Sequence, residues 1–184
     1  HRTTGSNMPA MNIDTHEVTA PSQQQLQERT ASWTRYWSSG VLHSCMGSFS
    51  GNYEGEIAEY WQAAFSELNA ASRVLDIGTG NGPLPRLLLG LDGGVDRGAR
   101  VDAIDLAQLA PNWVSTLATD QRSRLALHSG VRAEQLPFDA AAFDLVVSQY
   151  GLEYADQAQS LTEIARVLKP GGRLRVVMHH EDSV

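Results

Sequence analysis

The 184-residue chain carries 21 acidic against 14 basic side chains, a formal charge of −7, so a sequence-independent grip on a nucleic acid backbone is not expected. Its length and 42% hydrophobic content suffice for one cored domain, and no apolar run approaches the ~18 residues of a membrane span. Cys45 is the sole cysteine, which excludes an internal disulfide and suits a cytoplasmic protein that meets small molecules; no signal peptide is visible.

Residues 1–18 read as a tag remnant (His1–Asn7) followed by a loose polar stretch. Residues 19–70 form an N-terminal helical segment. Its first helix is expected from Ser22 to Ser38, with Leu26, Thr30, Trp33 and Trp37 on one face. Gly40–Asn52 is rich in Gly and Ser and reads as loop. A second helix, about Glu54–Leu68, carries the stripe Ile57, Trp61, Ala64, Phe65 and Leu68. Trp33 and Trp37 are expected in the core, and Tyr36 and Tyr53 on a lid.

Residues 71–184 alternate strand and helix. Strands are expected at Arg73–Ile77, Arg100–Ile104, Leu125–His128, Phe143–Ser148 and Leu174–Met178. Between them fall a helix at Pro83–Leu91, a helix broken by Pro111 with Trp113, Val114 and Leu117 turned inward, and a helix at Asp156–Leu168. That last helix shows a stripe of Leu161, Ile164, Ala165 and Leu168, and Pro170-Gly171-Gly172 stops it. The alternation predicts an α/β, Rossmann-like, doubly wound and mostly parallel sheet with right-handed crossovers and helices on both faces.

The run Val74-Leu-Asp-Ile-Gly-Thr-Gly-Asn-Gly82 holds most of the functional information. A short apolar strand feeds glycines at 78, 80 and 82, where backbone can approach a ligand closely. Asp76 lies inside it. A carboxylate beside a phosphate-binding turn would repel the phosphate, whereas a ligand with a positive end would be drawn to it. The spacing is G-x-G-x-G, with Pro83 in the sixth position, where a dinucleotide fingerprint has its third glycine.

This run resembles the first motif of the class I S-adenosylmethionine-dependent methyltransferases. Val101-Asp-Ala-Ile-Asp-Leu106 resembles the second, and the resemblance implies that Asp105 accepts both ribose hydroxyls, with Leu106 beside it; an aspartate there could also cap a helix. Ala133-Glu134-Gln-Leu-Pro-Phe138 resembles the segment over the adenine. Many relatives have an aspartate just before this pair, where this chain has Arg132; Glu134 could substitute as amine acceptor, and the backbone of Ala133 could contact the ring. Phe143–Tyr150 resembles the fourth-strand motif, and Glu163–Gly172 a run common in the family.

The implied cofactor is S-adenosylmethionine, with S-adenosylhomocysteine as product, bound by Asp76, Gly78, Thr79, Gly80, Asp105, Leu106, Ala133, Glu134 and Gln149. Tyr36, Tyr53, Tyr150 and Glu153 are the candidates toward substrate. Glu153, Tyr53 and His43 are possible bases, with no catalytic residue assigned. Neither an Asn/Asp-Pro-Pro-aromatic run nor a Pro-Cys pair occurs, which argues against DNA-base methylation. His43 and His128 read as structural, and His179, His180, Glu181 and Asp182 do not make a metal site because adjacent strand side chains diverge. A closing antiparallel strand pair expected after the fifth strand is missing, as in a truncated chain. The expected function is direct methyl transfer to a small-molecule acceptor. A non-catalytic cofactor-binding or interaction module, or a nicotinamide-dependent oxidoreductase, is the alternative, and the oligomeric state is not encoded legibly.

Overall fold

The computed structural model describes residues 22–45 and 49–179. Five parallel strands form one sheet in the order β3-β2-β1-β4-β5. They are β1 (Arg73–Ile77), β2 (Arg100–Asp105), β3 (Leu125–Ser129), β4 (Phe143–Gln149) and β5 (Leu168–Val177). The doubly wound parallel sheet expected from the alternation is therefore present. β1 lies between β2 and β4, so strand order reverses there and a crevice opens beyond the carboxyl ends.

Side-chain alternation along each strand feeds a core on either face. Helices α2 (Gly55–Ser66) and α3 (Pro83–Leu88) bury Trp61, Phe65, Leu84 and Leu87 against Val74, Val101, Leu145 and Val147. On the other face α5 (Gln157–Val167) buries Ile164 and Val167 against Leu75, Ile77 and Val146. The face of α5 differs from the expected stripe: Ser160, Ile164 and Val167 are buried, whereas Leu161 and Ala165 are exposed. The helix is rotated so that its i, i+4, i+7 row meets the sheet.

The end of α5 also differs. Pro170-Gly171-Gly172 does not separate helix from strand but forms a bulge inside β5. Leu168 pairs with Phe143 and Arg173 with Leu145, so the intervening residues loop out, and Gly171 supplies a φ of +80°. The region broken by Pro111 forms a 3-10 turn (Asn112–Thr116) and the short α4 (Thr119–Ser123).

Helix α1 (Gln23–Ser38) starts at a capping box. Gln25 N donates to Ser22 Oγ at 3.2 Å and Ser22 N to Gln25 Oε1 at 2.8 Å. None of its residues is buried. Arg29 donates to the Tyr154 carbonyl, Gln108 N to Thr34 Oγ1 at 3.0 Å, and Asn81 Nδ2 to the carbonyls of Trp37 at 2.8 Å and Val41 at 2.7 Å. The helix thus spans the crevice rather than docking on a sheet face. That corrects the expectation for Trp33 and Trp37, which are half-buried side chains facing the crevice. No helix among the described residues is long and apolar enough to cross a membrane.

Candidate active site

The crevice is a cleft of about 830 Å³ including its solvent-open mouth. Its floor is the carboxyl ends of β1, β2 and β4, one wall is the segment after β3, and α1 is its roof.

The glycine turn follows from close approach. The amides of Gly78 and Thr79 both donate to Ile104 O at 3.0 Å, pinning the turn to β2. Gly78 has a φ of +71°, and a Cβ there would lie 2.8 Å from the Gly151 Cα. Gly80 has a φ of +53°, and a Cβ there would lie 2.6 Å from the Trp37 ring. Neither position accepts a side chain without moving its neighbour.

Asp105 binds this turn directly. Its Oδ2 accepts from Gly80 N and its Oδ1 from Ala107 N, each at 2.8 Å. Burial pushes its carboxyl up, offset in part by the amides of Ala107, Gly80 and Leu106. It is therefore both a cleft-lining carboxylate and the tie between β2 and the glycine turn.

Asp76 is 1% exposed and lies beneath the cleft rather than on its wall. Its Oδ2 has no hydrogen-bond partner among the described residues. Burial pushes its carboxyl up to about 7, and the neighbouring Asp105 charge adds to this. The Thr79 hydroxyl nearby opposes that rise. An unpaired buried carboxylate is costly unless a cation or donor meets it.

At the end of β4, Gln149 Oε1 accepts from the fully buried Trp61 indole N–H, which leaves Gln149 Nε2 buried and unpartnered among the described residues. Tyr150 follows with a φ of +54°, strained for a non-glycine residue, and its ring stacks on His179 at 4.2 Å. Ser148 Oγ donates to Ile77 O at 2.8 Å and accepts from Leu152 N at 3.1 Å, locking the ends of β1 and β4 together.

His43 also lines the cleft. Its Nε2 donates to Gly51 O at 2.9 Å, which leaves Nδ1 as the lone-pair nitrogen, buried and without a partner among the described residues. Its ring stacks on Tyr53 at 5.0 Å. Burial raises the Tyr53 phenol far above its ordinary value, so this hydroxyl stays protonated. His128 is held by Asp102 Oδ1 at 2.9 Å, in a structural pair that also takes Arg73.

The cleft thus gathers Gly78, Thr79, Asp105, Leu106, Ala133, Glu134, Gln149, Tyr53 and Tyr150. Asp76 and Gly80 sit immediately behind that surface. Tyr36 stands outside it, its ring edge-on to Trp37 at 4.9 Å. Glu153 also stands outside and holds His179 Nδ1 at 3.0 Å; His180 lies outside the described residues. Tyr53 is 3% exposed and belongs to the core as much as to the cleft, unlike a lid side chain. The roof also brings in Trp33 and Trp37, which the sequence assigns to packing, Arg29, for which the sequence carries no signal, and Tyr154, a pocket candidate by sequence for which packing is the preferred reading, its ring edge-on to Trp33 at 5.2 Å. Among the described residues no three metal-ligating side chains cluster.

Residues 75–176 match the family described as methyltransferase domain. An uncharacterised methyltransferase of Mycobacterium tuberculosis is 36% identical over 139 residues, covering 74% of this chain and 53% of that protein. A ubiquinone/menaquinone biosynthesis C-methyltransferase of a Geobacter species is 28% identical, covering 60% of this chain and 46% of that protein. The chain spans about half the length of these relatives. Among solved structures, the (4+2)-cyclase SpnF superposes with a TM-score of 0.55 at 25% identity, covering 85% of this chain and 60% of that one.

Proposed function

The chain belongs to the class I S-adenosylmethionine-dependent methyltransferases, and from that premise we propose that it carries out direct in-line methyl transfer to a small-molecule acceptor. The observation that carries the reading is Asp76, a buried carboxylate with an unpartnered oxygen at the foot of the glycine turn. A cation is the partner that it lacks, and the cofactor brings an ammonium.

The donor set matches the rest of the molecule. The cofactor carries, in order, a cationic amino-acid end, a ribose diol and a flat base. The sheet presents Asp76 on β1, Asp105 on β2 and the apolar slot between Ile104 at the end of β2 and Val131 and Ala133 beyond β3, in the same order. Each Asp105 oxygen accepts one amide and keeps a lone pair for a ribose hydroxyl. The Gln149 amide N–H and the Thr79 hydroxyl supply further donors. In this reading residues 71–184 hold the cofactor and α1 closes over it, while α2 packs on a face of the sheet.

When bound, S-adenosylmethionine supplies a methyl carbon on a sulfonium, a leaving group that needs no acid. The protein's own task is positioning and exclusion of water. Trp33 and Trp37 shield the roof, Tyr150 and Tyr154 bound the acceptor side, and Tyr53 stays protonated. For an acceptor that arrives with an O–H, His43 Nδ1 is placed to take the proton, because Nε2–H is committed to Gly51 O. A small acceptor is favoured by the aromatic-lined cleft, the negative charge of the chain and the likeness to the ubiquinone/menaquinone biosynthesis C-methyltransferase of Geobacter.

A second reading is a cofactor-binding protein that does not transfer methyl groups. The likeness to SpnF, a cyclase, favours keeping it. Calorimetry with S-adenosylhomocysteine and NAD, followed by methyl transfer to a quinol and phenol panel, separates the readings. Binding of S-adenosylhomocysteine with turnover supports the first, and binding without turnover on any acceptor the second. Tight NAD binding alone would sink both.

Asp105→Asn bears on the same site. The amide keeps one acceptor but faces Gly80 N or Ala107 N with a donor. A hydrogen bond to a charged group is worth about 1.5–3 kcal/mol, so S-adenosylhomocysteine should bind roughly tenfold to a hundredfold more weakly. The melting temperature should fall too, because the glycine turn loses a tie. An unchanged affinity with a lowered melting temperature would make Asp105 a structural pin only.

A further inference from the structure

We propose that Arg132 reads the purine edge of the cofactor by donating hydrogen bonds, with no carboxylate accepting from the 6-amino group, so that the site accepts an oxygen in place of that amine. The inference rests on the reading that the cleft holds S-adenosylmethionine or its product.

Arg132 follows β3 and lines the end of the cleft beyond Asp105. That end is assigned to the base by the order of groups along the cofactor, since the cation belongs at Asp76 on β1 and the diol at Asp105 on β2. The guanidinium there pairs with Glu134, whose Oε2 is 3.4 Å from Nε, and leaves Nε buried and without a hydrogen bond among the described residues.

Glu134 is the cleft-lining carboxylate paired with Arg132, and it is turned to another duty. Its Oε1 accepts from Asp156 N at 3.0 Å, fastening the segment after β3 to the start of α5. Its other oxygen faces Arg132. The base end therefore offers a fork of donors backed by an acid that is already engaged.

The chemistry of the ring decides what such a fork prefers. Arginine has five N–H donors and no acceptor. An adenine edge shows an amine donor beside the N7 acceptor, so only one acceptor meets the fork. A hypoxanthine edge shows O6 beside N7, two acceptors in the arrangement that arginine takes bidentately on guanine. A carboxylate at this place would have the opposite preference, because it would accept from the amine and repel O6.

The test is calorimetric titration of the full chain with S-adenosylhomocysteine and S-inosylhomocysteine, on the wild type, Arg132→Met and Arg132→Asp, with melting curves to confirm folding. In the wild type the inosyl compound should bind within about threefold of the adenosyl one, or more tightly. Arg132→Asp should shift the ratio toward the adenosyl compound by roughly tenfold or more. Arg132→Met should weaken both and lose the wild type's tolerance of the oxygen; it carries the test if the aspartate variant fails to fold. A wild-type preference for the adenosyl compound above about tenfold would overturn the proposal, since an acceptor would then be meeting the amine. So would a ratio that neither variant moves. If the folded wild type binds neither compound, it is the cofactor reading that fails, and this proposal falls with it.

Discussion

Replacing Asp76 with asparagine should weaken S-adenosylhomocysteine binding by two to three orders of magnitude while making the ligand-free protein more stable at pH 8. Both effects come from one buried carboxylate. Removing one partner of a buried charge pair costs roughly 3–5 kcal/mol, which sets the loss of affinity. The stability change has the opposite sign. Burial lifts the Asp76 carboxyl from 3.8 to about 7, so between these values the native state holds a proton that the unfolded chain has released. Stability then falls as pH rises from about 4 through 7, and the penalty is complete above 7. A lift of that size corresponds to roughly 4 kcal/mol. Asparagine removes the ionisation and should flatten this part of the pH–stability curve. Ligand binding near pH 6–7 should also release a proton from the wild type, visible as a buffer-dependent heat, and not from the variant. Unchanged affinity in Asp76→Asn would place the ligand's cation elsewhere.

Trp61→Ala should cost about 3–5 kcal/mol, the range for deleting a large buried aromatic side chain. Trp61 is fully buried under β1 and β4 and stacks on Phe65 with ring centroids 5.9 Å apart. For a chain of this size each kcal/mol moves the melting temperature by about 2–4 °C, so a fall on the order of 10 °C is expected. Trp61→Phe separates packing from polarity. It keeps a ring against Phe65 but removes the indole N–H that Gln149 Oε1 accepts. An orphaned buried acceptor costs roughly 1–3 kcal/mol. The Gln149 amide would then be free to turn, and its Nε2 would no longer be held toward the cleft. Trp61→Phe should thus weaken S-adenosylhomocysteine binding at a modest cost in melting temperature. Equal affinity in Trp61→Phe and wild type would leave Gln149 with a packing role alone.

Local rules carried far into this fold. Alternation of apolar strands and amphipathic helices suffices to specify the parallel sheet, because each element must bury one stripe and parallel strands need crossovers. The glycines at 78 and 80 and the acid at 76 were legible for a similar reason: positive φ and a buried charge are demands that few residue types meet. α1 was found from its periodicity, but its destination was not. The same spacing that would dock Trp33 and Trp37 on a sheet also turns them toward an open cleft, and only the hydrogen bonds of Arg29, Thr34 and Asn81 across the strand ends decide between the two. α5 was misread by one row for lack of the same information, since Leu161 and Ser160 offer adjacent faces and the sheet chose Ser160.

The pairings among polar groups belong wholly to tertiary structure. Nothing in the chain order joins Asp105 to Gly80, Trp61 to Gln149, Glu134 to the amide of Asp156, or His43 to Gly51 across the following loop. These contacts form when separate elements meet. The partners left over, Asp76, Gln149 Nε2, His43 Nδ1 and Arg132, become recognisable only then. The sheet, the glycine turn and the acid beneath it follow from periodicity and from conformations that only certain residues adopt, and so are legible in the chain order. Which polar atoms remain unpaired and face the cleft was decided by packing between distant segments, since a hydrogen bond depends on where both ends finish.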